Sequence, residues 1–522
     1  MSCFRDMKPR RTNIIRPAGT LEAYQSAAHL LGFYHACAVT CRYVTPPHLA
    51  IDSKSPSLED VFERALALTI LEHSFLQVAL IDEDSKKPQW TRVSSVDFRN
   101  HLVWQTVDNS TTDRDELLAV LHDQHDRRFR NQDQQPLWRI VLLRDSANQF
   151  TDVVFAWNHA IADGMSGKIF HRTLLQKLEL QSSHQCKVAL ADRVLELPRP
   201  DLKVLALSPP LAAVVKLPLS ARFLLSEACK GLRSAITGPR ESPYAADGWA
   251  PIRPDLPNKT RLRLVSVPND ALGSVLRRCR EHGTTLTALL HALALASFAA
   301  RLLPDWAPAF ACATPFELRR FFHAHPDYPS LDPRETMGNY VSSHEHRFTR
   351  DVVAGLRADW GGPGSESERA RDVERRVWAV SREYTAGLTR KLIGGLKNEQ
   401  VGLMGFVPDW RAYFREQAKK PRGISWEVSN LGVLDGKPPG SGPAGQDAWV
   451  IGEALFTQST TVTGAAFLIS PISVKGGGLF VTFSWQNEIM EESVAMGVAT
   501  DIQDWLGDIA AERPLDIDRT KL

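Results

Sequence analysis

Apolar residues follow a helical period in some segments of this chain and a strand-like period in others. A helical spacing covers 20–31, where Thr20 is the predicted N-cap, and returns from Leu58 before changing to a strand-like run. The β-rich runs 136–145 and 150–158 are separated by four residues, Ser-Ala-Asn-Gln, which predicts an antiparallel hairpin. Helical periodicity resumes at Gly164. The first half of the chain is therefore predicted to mix strands with helices.

The second half repeats this mixture. A strand is predicted first, then a helix that begins near Asn269, a buried helix, and a late hairpin with the glycine-rich turn Lys-Gly-Gly-Gly. The predicted segments are 260–268, 269–283, 284–302, 465–474 and 479–486.

Between the halves lies a stretch rich in proline and glycine, 238–259, with little periodicity. At 522 residues the chain is long enough for two domains. We therefore predict an α/β (α+β) protein with an N-terminal domain at 1–237, a linker at 238–259 and a C-terminal domain at 260–522. Two charged stretches, 361–372 and 436–447, are predicted to be surface loops.

Charge and cysteine usage narrow the class of protein. Lys and Arg number 62 against 60 for Asp and Glu, so no strong field favours nucleic acid as a partner. The seven cysteines are scattered, which argues against a disulfide framework and for a reducing compartment. Cys37 with Cys41, and His344 with His346, each fit one face of a strand better than zinc ligation. We expect no metal and no nucleic-acid partner.

The N-terminus is basic but lacks the apolar core of a secretory signal. The closest approach to a membrane segment, 203–232, is broken by prolines and contains Lys216. We expect it to pack on the body of the protein, with attachment to a membrane surface as the alternative. The expected location is cytoplasmic, or peripheral at the endoplasmic reticulum or lipid droplets, and the expected state is a monomer.

The candidate chemistry lies in WNHAIADG, residues 157–164. The preceding strand ends at Asn158, so His159 projects from a strand end, where a neutral imidazole can accept a proton near pH 7. Asp163 is suited to hold the turn or to pair with a buried cation, and Gly164 to allow a tight turn with positive φ. A purely structural histidine explains the local pattern equally well.

The HAIADG segment resembles the His-x-x-x-Asp-Gly signature of the chloramphenicol acetyltransferase-like superfamily, which includes peptide-synthetase condensation domains. The whole chain resembles the fungal alcohol acetyltransferase family. The similar segments, in order, are IRPAGTLEAYQSAAHLLGFY, PLWRIVLL, NHAIADG, TPFELRRF, MGNYVSS, EVSNLG and FTQSTTVTGAAFLISPISVKGG. The resemblance implies two acetyltransferase-like domains packed as a pseudo-dimer, with a tunnel between them.

The resemblance also implies roles for residues. The family's general base corresponds to His159, and Asp163 is expected to be structural and to pair with Arg319, or with Arg320 as the alternative. Since a developing oxyanion needs a donor, Gln458 or Ser459 in the predicted strand FTQST is a candidate, and ordinary strand polarity is the competing explanation. Ser429 and Asn430 in SNLG are expected at a turn or strand crossover near the tunnel, where their role could be purely architectural.

The expected activity is acyl-CoA-dependent O-acyl transfer. Acetyl-CoA would be a co-substrate rather than a bound cofactor, and the acceptor a small hydrophobic alcohol such as a terpenoid or polyketide. Condensation domains usually carry two adjacent histidines, and Asn158 replaces the first here, which disfavours a carrier-protein role. An amine acceptor, a non-catalytic member that binds a hydrophobic metabolite and a structural docking module are the alternatives.

Overall fold

The computed structural model describes residues 14–47, 49, 57–107, 114–182, 190–197, 207–237, 242–437 and 448–517. Its strands are β1 Ile14–Pro17, β2 Cys37–Val44, β3 Val78–Ile81, β4 Gln89–Arg92, β5 Ser95–Asp97, β6 Leu102–Val107, β7 Trp138–Asp145, β8 Phe150–Trp157, β9 Val194–Glu196, β10 Thr260–Val267, β11 Phe310–Glu317, β12 Val341–Phe348, β13 Trp426–Val428, β14 Val433–Leu434, β15 Val450–Gln458, β16 Phe467–Val474 and β17 Leu479–Gln486. Its α-helices are α1 Thr20–Leu30, α2 Leu58–Glu72, α3 Phe98–His101, α4 Asp115–Asp126, α5 Gly164–Ser182, α6 Leu211–Val214, α7 Ala221–Thr237, α8 Asn269–Glu281, α9 Leu286–Arg301, α10 Arg350–Gly361, α11 Glu366–Ile393, α12 Gln400–Leu403, α13 Trp410–Gln417 and α14 Glu492–Ala510.

Two large sheets organise the molecule. The first has the order β15-β2-β8-β7-β6, and the second β10-β17-β16-β13-β11-β12 with β14 beside β16. Helices α2 and α5 pack on the first sheet, and α9 and α14 pack in the core of the second. The predicted α/β class is confirmed, as are both predicted hairpins, β7–β8 and β16–β17, which pair antiparallel.

The two sheets do not follow the predicted halves strictly. Strand β15 comes after the predicted linker, yet it pairs antiparallel with β2 at the edge of the first sheet. An apolar cluster also joins the halves, since Ala38, Val154 and Leu455 of the first sheet pack with Leu262 and Phe480 of the second. The described part of the linker, 242–259, contains neither helix nor strand. The domain boundaries themselves stay a prediction.

Two local predictions are wrong. Thr20 is the first residue of α1 rather than its cap, because Gly19 occupies the cap position and donates its N–H to Glu22 (2.6 Å). The predicted loop 361–372 is mostly the first turns of α11. Here Ser365 caps the helix and donates its own N–H to Glu368 (2.7 Å), so a capping box starts a helix in a charged stretch, and Ala370 and Val373 begin its buried face. Residues 438–447 of the other predicted loop lie outside the described residues.

Of the stretch 203–232, residues 203–206 lie outside the described residues, and the remainder is partly packed, as expected, and partly exposed. Leu211, Val214 and Val215 are buried in a cluster with Leu318 and other residues of the second half. Helix α7 is less covered, and Leu225 is 66% exposed. Within the described residues no single helix has the length and apolar character to span a membrane. Helices α8 and α9 taken together have that length and composition, but their axes differ by 91°.

Candidate active site

Strand β8 delivers the motif to one edge of the first sheet. Its last residue, Trp157, lies in one row with Cys37 of β2, and Cys37 in turn pairs with Gln458 of β15. The Trp157 indole N–H donates to the carbonyl of Ala162 (2.8 Å), which folds the chain back against the strand end. Asn158 accepts from the N–H of Ala160 (2.9 Å) and tightens the same turn. The residue between Asn158 and Ala160 is therefore held in a fixed position at the edge of the sheet.

That residue, His159, is partly buried and faces residues of both halves. The Asn339 amide donates to the His159 carbonyl (3.0 Å) and lies 3.3 Å from Nδ1. The Tyr34 ring is 5.7 Å from the imidazole, centroid to centroid. Burial lowers the pKa of His159, and backbone hydrogen bonds together with the charge of Asp163 act in the opposite direction. The imidazole is therefore neutral at physiological pH.

Asp163 forms a buried ion pair with Arg319, the residue named as its partner from the sequence. Nη1 and Nη2 of Arg319 donate to the two carboxylate oxygens at 2.8 and 2.9 Å. The side chains are 1% and 5% exposed. The alternative, Arg320, is exposed, and its guanidinium lies over the ring of Phe321 (5.4 Å).

Further donors complete the shell around the Asp163 carboxylate. Ser166 donates from its N–H and its Oγ, both at 2.9 Å, and Tyr340 donates its N–H at 3.0 Å. Burial pushes the pKa of Asp163 upward, but Arg319 and these hydrogen bonds outweigh it and lower the pKa. The carboxylate is thus ionised and ties the turn after His159 to the chain at 338–340 of the second half.

The predicted reason for Gly164 is wrong. Its backbone is not in the positive-φ region, and it is the first residue of α5. A Cβ atom built at this position would lie 2.5 Å from Cδ2 of Leu431 and 3.3 Å from Cζ of Phe456. A side chain at this position would force Leu431 to move, so close packing against the second half, rather than turn geometry, favours glycine.

Of the two oxyanion candidates, the structure places only Gln458 with its side chain between the sheets. Its Nε2 donates to Oγ of Ser470 in the second sheet (3.1 Å). The hydroxyl of Ser459 instead accepts the backbone N–H groups of His35 and Ala36, both at 3.0 Å. Ser459 therefore holds the chain that leads into β2.

The SNLG segment forms a turn beside this junction. The N–H of Ser429 donates to the carbonyl of Ile469 (2.9 Å). Asn430 donates to Thr287 (3.0 Å) and accepts from the N–H of Gly432 (2.7 Å), where φ is +68° and favours glycine. The contacts of both Ser429 and Asn430 shape the backbone of the turn.

Three residues were not identified from the sequence, namely Asn339 and Tyr34, which lie beside His159, and Glu427 of β13 in the second sheet. Asn339 lies in MGNYVSS, Tyr34 in LGFY and Glu427 in EVSNLG, so the segments were noticed but not the side chains. No local spacing could show these contacts, since Asn339 is 180 positions from His159. Across the described ranges, no group of three or more His, Cys, Asp or Glu side chains could hold a metal ion.

The arrangement of two sheets with the motif at one strand edge is that of the chloramphenicol acetyltransferase-like fold. The chain is similar in structure to the trichothecene 15-O-acetyltransferase TRI3 from Fusarium sporotrichioides, with a TM-score of 0.65, 14% identity and 95% of each chain covered. The first condensation domain of the calcium-dependent antibiotic synthetase has a TM-score of 0.57 at 14% identity, with 98% of each chain covered. These similarities confirm the predicted fold.

The sequence comparisons define the family within this fold. The family model for alcohol acetyltransferases matches residues 108–496, so this chain belongs to the alcohol acetyltransferase family and is an acyltransferase. It is 27% identical to the probable alcohol acetyltransferase FCK4 of Fusarium pseudograminearum, over 97% of both chains. It is 26% identical to the probable alcohol acetyltransferase crmB of Aspergillus fumigatus, over 91% of this chain and 95% of that one.

Proposed function

We propose that this protein transfers the acetyl group of acetyl-CoA directly to the hydroxyl of a small, mostly apolar alcohol, with His159 as the general base. The observation that carries the proposal is the position of His159, a neutral imidazole at a strand edge inside a turn locked by the Asp163–Arg319 pair. Membership of the alcohol acetyltransferase family supports the reaction class. The acetyl donor, the base and the acceptor class are the proposed elements.

In this mechanism, Nε2 of His159 takes the proton from the acceptor hydroxyl as its oxygen attacks the thioester carbonyl. The tetrahedral intermediate then collapses, the carbon–sulfur bond breaks, and the departing CoA thiolate receives the proton from the imidazolium. No net proton is gained or lost. Burial favours this cycle, because it keeps the resting imidazole unprotonated and able to act as a base.

We assign the oxyanion to Gln458. Its amide carries two hydrogens, and one of them is directed to Ser470 Oγ. The second hydrogen would stabilise the charge that develops on the carbonyl oxygen.

Direct transfer is favoured over an acyl-enzyme because the nearby thiol is a poor nucleophile. Cys37 is fully buried beside Tyr34, whose hydroxyl is 3.0 Å from its sulfur. Burial raises the pKa of Cys37 to about 12, so the thiol is protonated at neutral pH. A covalent intermediate on this cysteine would require the thiolate.

The test is acetyl transfer by the purified protein with acetyl-CoA and a panel of alcohols and amines. We expect release of CoA and new esters with the wild type, and loss of both in His159→Ala. His323→Ala is the control. In the described part of the chain, the only hydrogen bond of the His323 ring is to the carbonyl of the next residue, Ala324 (3.1 Å). Equal activity in wild type and His159→Ala would refute the base assignment. Amides in place of esters would identify an N-acetyltransferase.

A further inference from the structure

Glu427 is an acidic side chain on the inner face of the second sheet. Its neighbours in β13, Trp426 and Val428, are fully buried on the other face, where Trp426 stacks on Phe298 of α9 (5.4 Å between centroids). Because successive strand residues point to opposite faces, the Glu427 side chain is directed away from these helices. It therefore points toward the first half of the chain.

The neighbouring strand shows what this face meets. Glu427 pairs in register with Leu468 of β16, and Ser470 lies two residues further along the same face. Ser470 accepts the hydrogen bond from Gln458, which belongs to the first sheet. The face that carries Glu427 is thus the face that adjoins the proposed oxyanion donor.

The carboxylate of Glu427 has no hydrogen bond and no ion pair to any residue that the structure describes. Other acids that are buried or half-buried are paired, as Asp163 binds Arg319, Glu22 binds Arg16 and Asp501 binds Arg301. Burial alone raises the pKa of Glu427 to about 7. Glu427 is half-buried, so its carboxylate has lost part of its hydration without gaining a partner in the described chain, and a cationic group of a bound molecule would supply one.

The strand that carries Glu427 leads to the catalytic edge, because the turn 429–432 follows it and Cδ2 of Leu431 lies 2.5 Å from a Cβ atom built at Gly164 of the motif. Burial is the main cause of the raised pKa values of Tyr34 and Cys37, and the charge of Glu427 is a minor one. Tyr34 is in turn the residue whose ring lies 5.7 Å from His159. A group bound by Glu427 would therefore belong to a molecule that also reaches the imidazole.

An aromatic cluster lies beside Tyr34, since the ring of the neighbouring Phe33 packs against Phe414 of α13 (5.9 Å between centroids). The Tyr24 ring packs against Trp410 (5.1 Å) and Phe414 (4.9 Å) of α13. A carboxylate without a partner is suited to a cation, because opposite charges pair, and aromatic rings close to the imidazole would attract the same charge. The acetyl donor carries anionic phosphates, which such a site repels, so the cation belongs to the acceptor.

We propose that Glu427 binds a protonated amine on the acceptor, and that the natural substrate is an alcohol which bears a basic nitrogen. This inference rests on the proposed function, since it names the class of alcohol that the same site would acetylate.

The test compares two alcohols of the same shape, 3-(dimethylamino)propan-1-ol and its uncharged analogue 4-methylpentan-1-ol. The tertiary nitrogen cannot be converted to an amide, so any acetyl transfer occurs on oxygen. We expect the wild type to show a kcat/KM at least about tenfold higher for the amine, in line with a charge-assisted hydrogen bond. Glu427→Gln should abolish this preference, because it removes the charge that binds the amine and lowers kcat/KM for the amine at least about tenfold more than for 4-methylpentan-1-ol.

Glu345→Gln is the matched control. Glu345 of β12 and Glu427 of β13 both pair with Ala313 of β11, so the two acids lie in one row across the sheet. Unlike Glu427, Glu345 is exposed. This variant should retain the full preference for the amine. A wild type without preference would overturn the proposal, and so would a Glu427→Gln variant that lowers the rates with both alcohols equally, because that result assigns Glu427 to the chemistry or to the fold.

Binding separates this proposal from the proposed function. Calorimetry with 3-(dimethylamino)propan-1-ol, without acetyl-CoA, should show binding to wild type and to His159→Ala, weakened at least about tenfold in Glu427→Gln. Binding of this pattern without acetyl transfer to any alcohol would refute O-acetylation while supporting the amine site. Transfer with equal binding to wild type and Glu427→Gln would support O-acetylation and refute the amine site.

Discussion

Asp163→Asn should destabilise this protein far more than the loss of one surface charge. The carboxylate accepts five hydrogen bonds, two from Arg319, two from Ser166 and one from Tyr340, at 2.8 to 3.0 Å. An asparagine of the same shape offers one acceptor oxygen and no charge, so it leaves the guanidinium, which is 5% exposed, without its counter-ion. Removing one partner of a buried pair costs about 3–5 kcal/mol.

A double-mutant cycle isolates the pair from the other contacts of Asp163. Arg319→Met should cost a similar amount, because it strands the carboxylate, while the double variant should be less destabilised than the sum of the two single variants by at least about 2 kcal/mol. Urea midpoints and slopes, measured by fluorescence for all four proteins, provide the comparison.

The control is the exposed bidentate pair of Arg253 and Asp255, at 3.0 and 2.7 Å. Asp255→Asn should leave the midpoint unchanged, because solvent screens this pair. Additive single-variant costs at Asp163 and Arg319 would refute the reasoning, since they would mean that the two side chains are stabilised independently of one another.

Three further predictions concern the same site. Because burial lowers the pKa of His159 below the ordinary histidine value and the neutral form is the base, kcat/KM should rise with pH through a pKa below about 6.5 and be flat above it, and an acid limb centred above pH 7 would contradict this. Gly164→Ala should cost about 1–3 kcal/mol in urea unfolding by overpacking against Leu431, whereas Gly273→Ala in α8, which meets nothing within 4 Å, should not destabilise. Gln458→Ala should lower kcat by about 100- to 1000-fold in the CoA-release assay if its amide holds the oxyanion, and an unchanged kcat would remove it from that role.

The features that the sequence predicted are those encoded by local patterns. The hairpin β7–β8 was predictable because its strands are separated by a short polar loop, and the position of His159 followed from the end of β8. Strand β15 shows what a local pattern leaves undetermined. The alternation of its residues predicts a strand but does not identify the strand with which it pairs. Pairing with β2 joins residues about 400 positions apart, and no local signal specifies such a register.

The failures have equally specific causes. Helix α11 begins in a charged stretch, where the capping box between Ser365 and Glu368 fixes the first turn before the buried face starts at Ala370. The need for glycine at position 164 arises from Leu431, a residue of the second half, so turn propensity was the wrong criterion. Glu427 escaped notice because a single acid in a strand is ordinary in sequence and becomes unusual only when its surroundings supply no partner.

The site is assembled from distant segments, and this explains how stability and chemistry are coupled in it. His159 comes from the first half, but its turn is held through Asp163 to Arg319 and through its own carbonyl to Asn339, both of the second half. The proposed oxyanion donor, Gln458, reaches the same edge only because β15 crosses into the first sheet. Neither half alone contains the base, its support and the donor. A change that loosens the contact between the sheets should therefore reduce kcat before it unfolds the protein, since the catalytic geometry depends on both sheets and each core depends mainly on one.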